Sequence, residues 1–190
     1  MSRKPRPAHW PTIIDSLTGA NVMVSYAHYE IHSGCSFVLG ATSTPASGAA
    51  LVLAFKVGIE PAHMFARWAS EAQATFEVLE GVLWTTNTGS LVPIYCRNRQ
   101  NQGTPGLEED KTATPAFTAT GNALKDPSGL SGGIVLNTQT TWANKLTEGG
   151  GERGIHEFIL NPGEAYAYRV TNNDTSSRGV ELELDFYEAS

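Results

Sequence analysis

The stretch Gly179-Val-Glu-Leu-Glu-Leu-Asp-Phe-Tyr-Glu188 decides the fold class. Val180, Leu182, Leu184 and Phe186 alternate with Glu181, Glu183, Asp185 and Tyr187. Successive side chains of a strand point to opposite faces, so this period of two predicts a strand with one buried face and one acidic, wet face. Just upstream, Ala165 to Asn172 sets Tyr166, Tyr168 and Val170 on one face. The joint between the two, Asn172-Asn-Asp-Thr-Ser-Ser-Arg-Gly179, consists of turn formers. Ile155 to Leu160 reads as a further strand, closed by Asn161-Pro162-Gly163. There Pro presets φ and Gly accepts a positive one. The last 36 residues therefore read as three consecutive antiparallel strands.

The same logic extends towards the N-terminus. Leu51, Leu53, Phe55 and Val57 alternate with Val52, Ala54 and Lys56. Leu91 to Arg97, Ala113 to Thr118 and Gly133 to Asn137 also read as strands. Residues 62–80 fit two patterns. Ala62 to Ala69 and Thr75 to Glu80 suit strand–turn–strand, but Phe65, Trp68, Ala69, Ala72 and Phe76 also make a helical stripe. The connections are long and polar, with an acidic run at Glu108-Glu109-Asp110 and a Gly149-Gly150-Gly151 triplet. The expected fold is all-β: an antiparallel β-sandwich of jelly-roll type, with long loops, over residues 28–190. Residues 1–27 are expected to form an extended basic N-terminal arm and lead-in.

Composition agrees. Of 190 residues, 41% are hydrophobic and only 17% charged, with 19 Gly and 19 Thr. Thr suits a half-buried pleated surface and Gly its turns. At this length the chain can bury a core without staples. Two cysteines, Cys35 and Cys96, build neither a disulfide framework nor a four-ligand zinc site, and read as thiols of a protein made in a reducing cytoplasm. No apolar run is long enough to cross a membrane as a helix. Met1-Ser-Arg-Lys-Pro-Arg-Pro7 has a basic start without the apolar region of a signal peptide.

The net charge of −6 is uneven. Three of the 13 basic residues, Arg3, Lys4 and Arg6, lie in the arm, which leaves 10 basic against 19 acidic residues in the body. Such a body repels phosphate backbones, so neither nucleic acid nor a membrane is an expected partner. The arm, Arg3-Lys4-Pro-Arg6-Pro7 followed by His9-Trp10-Pro11, cannot form a helix. Proline lowers the entropy lost on docking, and Trp10 beside guanidinium groups is an anchor composition. Arg3, Lys4, Arg6, His9 and Trp10 are therefore the candidate protein-interface residues.

Reactive constellations are weak. His28, Glu30 and His32 would share one strand face, with His156-Glu157 as a distal contributor. The usual metal-enzyme spacing of His-x-His and a later Glu is missing. Nucleophile elbows and phosphate loops are absent. Cys35 lacks an electropositive setting. Glu77 with Glu80, or Glu181 with Glu183, could be imagined as a carboxylate pair. Glu181, Glu183 and Asp185 make a solvated ladder rather than a dyad. The expectation is no enzyme activity, no metal and no cofactor.

Three segments carry a family resemblance. The first is Ile31-His32-Ser33-Gly34 and the apolar strand after it. The second runs from Ala62-His63-Met64-Phe65 through Phe76-Glu-Val-Leu-Glu-Gly81 to Tyr95, Asn98 and Arg99. The third is Phe158-Ile-Leu-Asn-Pro-Gly-Glu-Ala-Tyr-Ala-Tyr-Arg-Val-Thr-Asn172 with the final strand. Together, over residues 28–188, they resemble capsid decoration (cement) proteins of tailed double-stranded DNA bacteriophages. The resemblance implies a β-sandwich bound outside an icosahedral head, oligomeric, with the major capsid protein and its own copies as partners. It implies strand–turn–strand at 62–80 and offers no catalytic motif. The implied location is the virion exterior, after synthesis in the bacterial cytoplasm. A glycan- or receptor-binding module of a phage fibre is the rival expectation, through Trp84, Tyr95 and Trp142.

Overall fold

A computed structural model describes residues 12–14, 21–23, 31, 36–58, 61–97, 123–141, 147–150 and 157–188. Apart from Ile31, which is helical, every element among them is a strand. In chain order they are β1 (Thr12–Ile14), β2 (Asn21–Met23), β3 (Ser36–Ser43), β4 (Ala50–Lys56), β5 (Ala62–Ser70), β6 (Ala74–Leu83) and β7 (Ser90–Val92). Then come β8 (Tyr95–Cys96), β9 (Ala123–Lys125), β10 (Ser131–Thr140), β11 (Thr147–Gly150), β12 (Phe158–Leu160), β13 (Ala165–Asn172) and β14 (Val180–Glu188).

Two antiparallel sheets result. Sheet one has the order β10-β6-β13-β4-β9-β7. Sheet two has the order β11-β5-β14-β3-β8, with β12 also paired to β5. Consecutive strands mostly switch sheets: β3, β5 and β14 belong to sheet two, and β4, β6 and β13 to sheet one. This alters the reading of the C-terminal segment. Its strands exist, but none pairs with the next. β12 pairs with β5, β13 lies between β4 and β6, and β14 lies between β3 and β5.

The inward faces build one core. Leu39, Leu53, Phe55, Met64, Phe76, Tyr168, Leu182 and Phe186 are buried together. Trp68 of sheet two stacks on Phe76 of sheet one, centroids 5.7 Å apart and rings 9° from parallel. The alternation in β13 and β14 thus points as expected, with Tyr166, Tyr168 and Val170 inward. Residues 62–80 are strands, β5 and β6. The helical stripe fails because Trp68 and Phe76 meet across the two sheets, while Phe65 and Trp68 have opposite parity.

Sheet one also has an apolar outer face. Val52, Ala54, Leu79, Val82 and Ala167 form a second cluster, with Trp84 and Leu130 packed against it. This explains the near-continuous apolar run of β4, which is buried on both sides.

Other expectations need adjustment. The strand expected over Leu91 to Arg97 is two short strands in different sheets, β7 and β8, because Pro93 cannot donate a ladder hydrogen bond. Within the region expected to be arm and lead-in, β1 and β2 pair, Ile13 facing Val22. Ala113 to Thr118 lies outside the described residues. The turn at Pro162-Gly163 is present, with Gly163 at φ 78°. The 172–179 joint closes on a buried side chain: Asn172 Nδ2 donates to Pro45 O at 2.9 Å and Ser176 O at 2.8 Å.

Candidate interaction surfaces

The outer face of sheet two carries the densest polar chemistry. β14 sends Glu181, Glu183, Asp185 and Tyr187 outward, since its other parity fills the core. The expected acidic, wet face is only half right. Glu181 is exposed, but Asp185 is 3% and Tyr187 7% exposed. Burial of a carboxylate requires partners, and two arginines supply them. Arg97, following β8, donates from Nη1 to Asp185 Oδ2. Arg67 Nη2 lies 3.5 Å from the same oxygen and 3.1 Å from Glu183 Oε1. The register causes this: Glu183 faces Arg67 across the β14–β5 ladder.

At the end of this ladder Tyr187 faces His63. Their rings stack with centroids 4.6 Å apart. His63 Nδ1 lies 3.0 Å from Glu157 Oε1 and 3.0 Å from the Tyr187 hydroxyl. A carboxylate can only accept, whereas the Tyr187 hydroxyl can donate or accept, so the two contacts compete for one ring nitrogen. Glu157 thus ties the chain just before β12 to sheet two.

On sheet one, the two acids entertained as catalytic are structural. Glu77 faces Arg169 across the ladder and accepts its Nη2 at 2.7 Å. Glu80 accepts the Tyr166 hydroxyl at 2.6 Å and Asn161 Nδ2 at 3.1 Å. Burial, with this bond second, pushes the Tyr166 phenol up to about 12. Burial also pushes the Tyr168 phenol upward. No free carboxylate pair remains at these positions.

Two polar clefts flank Glu71. One is lined by Thr42, Ser43 and Glu181, the other by Gln73, Asn173 and Arg178. Glu71 itself accepts the Gly179 N–H at 2.8 Å and is spent on holding the 172–179 loop. In that loop Arg178 and the Thr175 N–H hold the Asp174 carboxyl below its usual range.

The remaining surface of note is apolar and lies at strand edges. Leu91 on β7 is 66% exposed, Ile134 on β10 69%, and Ile159 on β12 65%. Val135 and Leu136 of β10 and Leu83 of β6 are exposed as well. β10 and β7 are opposite edges of sheet one.

Several sequence-predicted residues lie outside the described residues: Arg3, Lys4, Arg6, His9 and Trp10 of the arm, His28, Glu30, His32, Cys35, Trp142 and His156. Among the described residues, no group of three or more His, Cys, Asp or Glu is placed to hold a metal ion. Cys96 is buried. Of the aromatics considered for sugar stacking, Tyr95 is half exposed, and Trp84 packs onto the outer cluster of sheet one. Sequence reasoning missed His63, Arg67 and Arg97. Their signal was weak, because each takes its role from a partner more than 80 residues away.

A comparison of the chain with protein-family models, with curated proteins and with solved structures finds no match.

Proposed function

We propose that the chain is a structural virion protein that binds the outer surface of an icosahedral bacteriophage head and stabilises it. Its partners are the major capsid protein and its own copies, on the capsid exterior, with no reaction performed. The observation that carries this reading is that opposite edges of sheet one, β10 and β7, both expose large aliphatic side chains. Exposed apolar groups on a strand edge suit protein contact, since the edge also offers unpaired backbone groups. Two such edges on opposite sides suit a protein that bridges neighbours. A protein that binds only the assembled lattice stabilises it by mass action. An acidic body keeps such a protein off the DNA.

We further read the sandwich as a jelly roll with an excursion. Counting β3, β4, β5, β6, β10, β11 with β12, β13 and β14 as eight strands gives sheets β3-β14-β5-β12 and β4-β13-β6-β10. That order is consistent with paired Greek keys. On this reading β7, β8 and β9 widen the sheets beside β3 and β4.

The test mixes purified protein with undecorated heads and measures co-sedimentation and heat resistance. Binding with raised thermal resistance is expected. Heads that neither bind the protein nor gain resistance would refute the role. Deleting residues 1–11 tests the arm: a weakened capsid affinity is expected, and an unchanged one removes the arm from the mechanism.

A further inference from the structure

We infer that β10 is a self-association edge, on which two copies of this chain pair β10 to β10 antiparallel about a two-fold axis. On one side β10 is bonded to β6, and it terminates sheet one on the other. It is ten residues long and largely exposed along its length. The other described outer edges are short: β7 has three residues, β8 two, β11 four and β12 three. A long open edge is a template for another strand, and natural edges are guarded by charge, proline or a bulge. β10 has no charge and no proline, and carries one register shift, between Val135 and Asn137. From Asp126 to Lys145 no intervening residue is charged.

Two features choose a second copy as the occupant. The first is electrostatic. The chain carries −6 overall, so a contact between copies is least opposed where the surface is uncharged, as along β10. The second is symmetry. Ile134, Val135 and Leu136 occupy the centre of Ser131–Thr140, with small and polar residues on both sides. An isologous contact matches a surface to itself. Antiparallel pairing about the strand centre lays the apolar trio of one copy beside that of the other, and joins two six-stranded sheets into one. Ile134 and Val135 pair in register with β6 just before the irregularity between Val135 and Asn137, while Gly132 and Gly133 ahead of them take positive φ and Gly133 has no β6 partner.

The test uses the full chain without capsids, so its failure is separate from failure of the capsid reading. Sedimentation equilibrium over a range of concentrations should show a dimer. Hydrogen exchange of the β10 amides should slow as concentration rises. Val135→Lys should weaken the dimer about tenfold or more, because one charge per copy meets its own image at the axis. Leu91→Lys, on the opposite edge, should leave it unchanged. A monomer at all concentrations overturns the inference. So does a dimer with no protection on β10, which reads the wild-type chain and needs no variant, or a dimer indifferent to Val135→Lys.

Discussion

Arg97 and Asp185, 88 residues apart in sequence, form an ion pair on the outer face of sheet two, with the carboxylate almost wholly buried. Removing one partner of a buried pair leaves the other's desolvation uncompensated, at about 3–5 kcal/mol. Arg97→Ala, which takes this partner from the buried Asp185 carboxylate, is therefore expected to destabilise the fold by about 3 kcal/mol in urea denaturation. Arg67 is half exposed and reaches Asp185 only at 3.5 Å. Arg67→Ala should cost under about 1 kcal/mol. Equal costs for the two variants would show that Asp185 is not held by Arg97.

Tyr166 and Tyr168 share a face of β13 but should respond oppositely to loss of the hydroxyl. Tyr166 donates to Glu80 and accepts the Asn161 N–H at 3.0 Å. Tyr166→Phe leaves both groups short of a partner and should cost about 1–3 kcal/mol. The Tyr168 hydroxyl is buried and has no hydrogen-bond partner among the described residues. Tyr168→Phe should be neutral or stabilising by up to about 1 kcal/mol. Thermal denaturation of the two variants side by side decides it.

Tyr166 also sets an alkaline limit. Its folded-state pKa is raised from 10.0 to about 12, so the native state keeps a proton that the unfolded chain releases. The stabilisation is complete below about pH 10 and is lost as pH rises towards 12. Stability measured across this window should fall, and Tyr166→Phe should flatten part of the decline, the rest coming from Tyr168, whose phenol burial also pushes upward. A decline as steep in the variant would assign it to other groups.

Two glycines with positive φ separate strain from crowding. Gly163 has φ +78 and open space where a Cβ would stand. Gly89 has φ +81, and a Cβ there would lie 2.6 Å from Lys125 O. Gly163→Ala should cost about 1 kcal/mol from backbone conformation alone. Gly89→Ala should cost about 3 kcal/mol, because β7 and the Lys125–Pro127 backbone must part. Chemical denaturation of both variants checks the order.

Much of the architecture was legible locally. Tyr166, Tyr168, Leu182 and Phe186 point inward because a period of two cannot place them elsewhere once one face is buried. Pro162-Gly163 turns where the dipeptide predicts. Residues 62–80 were not legible, because Phe65, Trp68 and Phe76 satisfy two periodicities at once. The resemblance implied strand–turn–strand there, and the stack of Trp68 on Phe76 between sheets gives the physical reason. The candidate surfaces were barely legible. Ile134, Val135 and Leu136 look like core residues in sequence, and it is their edge position that exposes them.

The sequence by itself determined that this chain is built of strands, and which side chains of each strand share a face. Side-chain parity is a property of the extended backbone and needs no partner to express it. Only the tertiary structure decided which strands are neighbours, and hence that Asp185 is buried against arginines while Glu181 meets water. Strand pairing joins residues scores of positions apart, and their mutual distance is written in no local pattern. The same pairing leaves β10 at the rim of its sheet, where three aliphatic side chains face outward.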